Sequence, residues 1–100
     1  MDAHICNAIM SRSIVELNYD KKTILVEPYL YGLSTKGQEV VKVYQISSMP
    51  TEEADKSGWK ILQVAKISDW KTTTDCFLEN RAGYSVKDEN IFSLICSVSV

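Results

Sequence analysis

Glycine and proline are scarce, at four and two in 100 residues, so the chain has few points where regular structure must break. There is one histidine, His4. It stands two positions before Cys6, a spacing that puts the two on different sides of a helix, so neither a metal pair nor a Cys–His dyad forms locally. No glycine-rich phosphate loop, His-Glu-x-x-His or Gly-x-Ser-x-Gly occurs. Apolar runs stop far short of the roughly 20 residues needed to span a bilayer. The opening Met-Asp-Ala-His predicts no signal peptide. Cys6, Cys76 and Cys96 are odd in number and widely separated. They predict no disulfide framework and no zinc cluster, but small buried hydrophobes in a reducing cytosol. Together these absences predict a cytoplasmic protein, not an enzyme, with no catalytic residue, no metal, no cofactor and no membrane.

What is present is ordinary globular material: 45% hydrophobic and 24% charged residues, which excludes a disordered tail or fibrous repeat. One hundred residues fit one domain. The net charge is −2, which excludes a wholly basic surface but leaves room for a local basic patch.

The hydrophobic pattern changes period along the chain. Ile5, Ala8 and Ile9 share a helical face, and residues 1–12 read as a short helix that must dock on something to persist. From Ser13 to Tyr19, Val15, Leu17 and Tyr19 alternate with Glu16 and Asn18, the mark of a half-buried strand. Asp20-Lys21-Lys22 is a polar turn. Thr23–Leu33 is a longer extended run in which Pro28, lacking an N–H, requires an edge, a bend or a bulge. Glu39–Ile46 and Trp59–Lys66 read as further strands. Between them lies a polar loop, 47–58, with Pro50 and an acidic cluster. Ile67–Trp70 reads as a turn. Thr74 or Asp75 is placed to cap a helical turn running to Asn80, and Cys96–Val100 alternates as a last strand. Close-spaced strands with short turns make an antiparallel sheet that must curl to dispose of its edges. The expected fold is mainly β: a small, five-stranded bent barrel of the Sm or SH3 kind behind a short N-terminal helix. An α+β antiparallel sheet with one packed helix is the alternative. The barrel core spans 13–67, and 68–100 forms a C-terminal extension ending in a strand.

The order Ala8-Ile9-x-x-Arg12, Val15-x-Leu17-x-Tyr19, Val26-Glu27-Pro28-Tyr29-x-x-Gly32, Val43-Tyr44-Gln45, Gly58-Trp59-Lys60 and Lys66-Ile67 resembles the WYL domain, a ligand-sensing module of bacterial transcription regulators that also occurs alone. The resemblance covers about Ile5 to Ile67, and Phe77-x-x-x-Arg81-x-x-Tyr84 resembles the ending of short stand-alone members. Val43-Tyr44-Gln45 stands where the naming Trp-Tyr-Leu would be, and Ile24 where a basic residue is usual. The winged-helix DNA-binding domain of the regulators has no room here. The resemblance implies an Sm-like barrel that binds a nucleic-acid or nucleotide ligand on a basic patch and signals to a partner domain.

Arg12, Lys60, Lys66 and Arg81 match or neighbour the family's basic positions. Arginine offers a planar fork of donors suited to phosphate, and Lys60 and Lys66 share a face if one regular strand carries both. Tyr31 and Tyr44 are candidates for stacking bases beside such a groove. Tyr29, Trp59 and Trp70 read as packing residues. Glu27 reads as the structural partner of Arg12. The ligand-binding set is thus Arg12, Tyr31, Tyr44, Lys60, Lys66 and Arg81, with single-stranded nucleic acid or a nucleotide as ligand. A protein partner in trans, or a homodimer, is compatible with it. The competing reading is a structural or interaction domain that dimerises or docks through a sheet edge and binds no small ligand.

Overall fold

The computed structural model describes residues 2–48, 58–77 and 91–98. Helix α1 (Asp2–Ser11) is followed by strands β1 (Ser13–Tyr19), β2 (Lys22–Ser34), β3 (Glu39–Ser48) and β4 (Gly58–Gln63). A 3₁₀ turn (Val64–Lys66) leads into β5 (Ile67–Cys76), and β6 (Ile91–Ser97) comes last. The protein is mainly β with a short N-terminal helix, as its periodicities predict.

Helix α1 buries Ile5, Ala8 and Ile9 completely or nearly so, the i, i+3, i+4 stripe that makes a ten-residue helix worth forming. It ends at Arg12, whose φ of 55° is left-handed and whose N–H donates to the Ile9 carbonyl at 3.1 Å. That conformation is a common helix stop, although glycine usually supplies it.

All strand pairs are antiparallel, in the order β4-β3-β2-β1-β5, with β6 also paired to β2. Among the described residues no ladder joins β4 to β5; the 3₁₀ turn carries the chain between them. The β1–β2 hairpin closes over Asp20 and Lys21, with Tyr19 opposite Lys22. Both turn residues have positive φ, 53° and 66°, which suits the right-handed twist of the flanking strands but strains residues with a Cβ. Lys21→Gly is therefore expected to raise the unfolding free energy by about 0.5–1 kcal/mol. A urea melt that shows no gain, or a loss, would refute this account of the turn.

Strand β2 organises the sheet. Along one edge it pairs β3; along the other it pairs β1 as far as Val26 and β6 from Leu30 onward. Pro28 stands in the gap between those two ladders, where a missing N–H costs no β1 or β6 bond. The register against β3 jumps from Pro28↔Val43 to Leu30↔Lys42, leaving Tyr29 as the extra residue of a bulge. A further shift falls between Tyr31 and Gly32 in the β6 ladder. The sequence expectation of an edge, bend or bulge at Pro28 is met by the bulge beside it, although β2 is central, not an edge.

The core gathers Val15 and Leu17 from β1, Val26 and Leu30 from β2, Val41 and Val43 from β3, and Leu62 from β4 beneath Ile5 and Ile9. Each such side chain contributes about 1.5–3 kcal/mol by leaving water.

Three expectations are corrected. Residues 67–76 form a strand paired with β1, not a turn leading to a capped helical turn. Thr72, Thr73 and Thr74 are β-branched and suit a pleated surface. The turn-like Asp69 fits as an irregularity with φ 54°, its carboxylate accepting from the Asn18 side chain at 2.7 Å. Residues 67–76 thus belong to the sheet. Second, β4 stops at Gln63, so Lys60 and Lys66 do not share a strand: the Gln63 N–H donates to the Tyr19 hydroxyl at 3.1 Å, Val64 turns inward, and Lys66 falls at the end of the 3₁₀ turn. Third, Cys6 and Cys96 are bonded to each other across a separation of 90 residues, with Cα atoms 6.0 Å apart. Sequence distance gave no hint of it because α1 and β6 meet only in the folded chain. The premise for a reducing compartment falls with that pairing. Cys76 is free and exposed, not a buried hydrophobe. The central part of the 47–58 loop, 49–57, and the expected helical end at 78–80 lie outside the described residues.

Candidate ligand-binding face

Cross-strand register decides which side chains share a face. Glu27 lies opposite Tyr44, and Tyr44 lies opposite Trp59. Directly opposed residues point to the same side of a sheet, so these three stand in one line across β2, β3 and β4. Lys42 precedes Tyr44 by two and joins them.

The rings meet in a continuous row. Tyr44 and Trp59 pack edge to face, centroids 5.3 Å apart at 88°. Trp59 continues to Tyr29 at 4.8 Å and 62°, and Tyr29 to Phe77 at 4.9 Å and 41°. Cations flank two of the rings, Trp59 and the end ring Phe77. The Lys42 Nζ lies 5.4 Å from the Trp59 centroid, and the Arg12 Cζ lies 5.6 Å from that of Phe77. Both are within the range in which a ring's negative face attracts a cation.

Burial divides the row. Tyr29 and Phe77 are buried and serve as its floor. Trp59, Tyr44, Lys42 and Arg12 are half-buried and reach solvent. Glu27, almost fully buried, accepts a hydrogen bond from the Tyr29 hydroxyl at 3.0 Å, which orients the ring that carries Trp59.

The sequence-derived candidates separate accordingly. Arg12 and Tyr44 belong to the row. Tyr31 does not: it is fully buried, flanked by Val41 on one side and Cys96 on the other, with its hydroxyl donating to Glu39. Ring stacking from solvent is closed to it. The bulge at Tyr29 also breaks the simple rule that residues two apart behave alike, so Tyr29 and Tyr31 have different carboxylate partners. Lys60 pairs with Val43, so it points to the opposite side from Trp59 and Lys42. Lys66 is exposed, away from that strand face. Arg81 lies outside the described residues, as does Tyr84.

Sequence reasoning missed Lys42 and took Trp59, Tyr29 and Phe77 as packing or as part of the tail. Lys42-x-Tyr44 was a visible signal, since a base and an aromatic two apart share a strand face. Trp59 joins them only through the β3–β4 register. Among the described residues no group of three or more histidine, cysteine, aspartate or glutamate side chains is placed to hold a metal. Among those residues, too, no helix is long and apolar enough to cross a membrane.

No known family model, curated protein or solved structure matches this chain. The segment with the plainest structural role is Val26-Glu27-Pro28-Tyr29. That segment carries the switch of ladder partners, the bulge and the hydrogen bond beneath the ring row.

Proposed function

We propose that this chain is a ligand-sensing module, similar to stand-alone WYL domains, that binds single-stranded nucleic acid or a nucleotide and acts on a partner supplied in trans. The observation that carries the reading is the half-buried pair Tyr44–Trp59 with Lys42 beside it. A base can stack on such rings while an ammonium group meets its phosphate, the combination single-strand binders use. Arg12, at the far end of the row, suits a second phosphate. The strand order, with a 3₁₀ turn before β5, supports an Sm- or SH3-like barrel. No catalytic activity is assigned, and a cytoplasmic setting belongs to the proposal because such ligands are met there.

The test is a titration of the protein into a short labelled single-stranded DNA and a matching RNA, followed by anisotropy at two salt concentrations. Trp59→Leu is expected to weaken binding by about 5- to 150-fold, the equivalent of roughly 1–3 kcal/mol of stacking per base. Lys42→Ala is expected to reduce the salt slope by about 0.7 for its one phosphate. Absence of saturable binding at tens of micromolar protein in low salt would remove nucleic acid from the proposal and leave nucleotides to be titrated by calorimetry. A second reading has its own support: β6 carries no charged residue and exposes Leu94 and Ile95, a surface suited to docking or dimerisation through a sheet edge. Sedimentation showing a dimer that Leu94→Lys dissolves, without nucleic-acid binding, would favour it.

A further inference from the structure

The Cys6–Cys96 bridge ties together the two elements that support the ring row, and we infer that it is a redox-operated clasp that sets the affinity of that face. The inference rests on the binding proposal above. Cys6 lies under two helical turns before Arg12, the residue that follows α1. The Arg12 guanidinium covers Phe77, and its carbonyl accepts from the Phe77 N–H at 2.9 Å. Two residues after Cys96, just past the end of β6, the Val98 N–H donates to the Tyr29 carbonyl at 2.9 Å. Tyr29 is the buried ring against which Trp59 packs, and Phe77 packs against Tyr29. Each sulfur is therefore a short, hydrogen-bonded path from one of the two floor rings.

Both cysteines are half-buried, and exchange begins when an external thiolate reaches one of the two sulfurs. In the cytoplasmic setting of that proposal, a disulfide is usually a sensing or transient one. The step balances. One thiolate of a dithiol reductant attacks a bridge sulfur to give a mixed disulfide, and its second thiolate resolves it. Cys6 and Cys96 gain two electrons and two protons, and the reductant becomes its own disulfide. Reduction loosens the fold without dismantling it. Ile5, Ala8 and Ile9 still hold α1 in the core, and the β2–β6 ladder survives. What is lost is the covalent tie between α1 and β6, and with it the restraint on the backbone that bonds Phe77 and Tyr29.

The experiment uses the full chain with Cys76→Ser, so that the bridge is the only redox-active group. Anisotropy with labelled single-stranded DNA is recorded before and after dithiothreitol, and again after reoxidation with oxidised glutathione. Near-UV and far-UV circular dichroism are read on each sample. Reduction is expected to weaken binding by about 5- to 100-fold, a usual span for coupled sites. It is also expected to change the near-UV aromatic signal, leave the far-UV signal intact and reverse on reoxidation. Cys6→Ser/Cys96→Ser in the same background should bind like the reduced form and ignore dithiothreitol. If the oxidised protein binds and reduction leaves its affinity unchanged, the clasp is refuted while the binding proposal stands. If the oxidised protein does not bind, the binding proposal fails and the clasp fails with it. Loss of the far-UV signal on reduction would make the bridge a structural staple and overturn the inference.

Discussion

Replacing Cys6 and Cys96 by serine is expected to lower the unfolding free energy by roughly 4–5 kcal/mol. The bridge closes a loop of 90 residues, and the chain-entropy treatment assigns a closure of that length about 4.6 kcal/mol, with measured losses of about 2–5 kcal/mol. For a domain of this size the midpoint of thermal unfolding should fall by about 20 °C or more. Single domains hold about 5–15 kcal/mol in all, so the variant keeps a folded majority at room temperature only if the oxidised protein stands above the low end of that range. Urea melts of the oxidised protein, the reduced protein and the double variant provide the check. The last two should coincide. A loss below 1 kcal/mol would mean that the ends of α1 and β6 are already held by the core, and that the bridge constrains little in the unfolded chain.

Tyr29→Ala is the second large effect, expected to cost about 3–5 kcal/mol as a buried aromatic truncation. Tyr29 is fully buried, touches Trp59 and Phe77, and donates to a nearly buried carboxylate. Its removal opens a cavity beneath Trp59 and takes a partner from Glu27. Tyr29→Phe isolates the second contribution. The ring stays, the hydroxyl goes, and about 1.5–3 kcal/mol should be lost with one hydrogen bond to a buried carboxylate. The two variants must rank in that order in denaturant melts. Equal losses would place the whole role of Tyr29 in its hydroxyl, and a cost under 1 kcal/mol for alanine would show that the neighbouring rings close the gap. In a Trp70→Phe background the emission of Trp59 should shift to the red in Tyr29→Ala, because its buried support is gone.

Local pattern carried much of the fold. The stripe Ile5, Ala8, Ile9 and the alternation of Val15, Leu17 and Tyr19 each read true, because burial of one face writes itself into neighbouring residues. Pro28 announced a break in β2, although not that three strands meet there. The expected turn at Ile67–Trp70 failed because polar residues with a left-handed Asp69 imitate a loop, and the pairing with β1 that overrides this is non-local. The candidate site was legible only in part. Arg12 and Tyr44 were chosen on their own chemistry and proved to lie in the ring row. Tyr31 was chosen by the same chemistry and is walled in between β3 and β6. Nothing within a few residues of Tyr31 distinguishes it from Tyr44, and both have a strand on each side; only the folded chain buries Tyr31 fully and leaves Tyr44 half-buried. Lys42, Trp59 and Phe77 come together from three strand positions, so their meeting is a property of register. The Cys6–Cys96 bond is the extreme case, joining residues near opposite ends of the sequence.

The shared edge of β2 also orders events in time. Its first half closes on β1 over a two-residue turn, a contact within reach in microseconds. Its second half, Leu30–Ser34, pairs with residues 91–97, about sixty positions downstream, a closure that is slow on entropic grounds. During synthesis on the ribosome, Leu30–Ser34 has an open row of backbone donors and acceptors until β6 emerges. An unpaired apolar edge is a template for another nascent chain. The interval before the last strand docks is therefore the stage at which chaperone protection matters most for this protein.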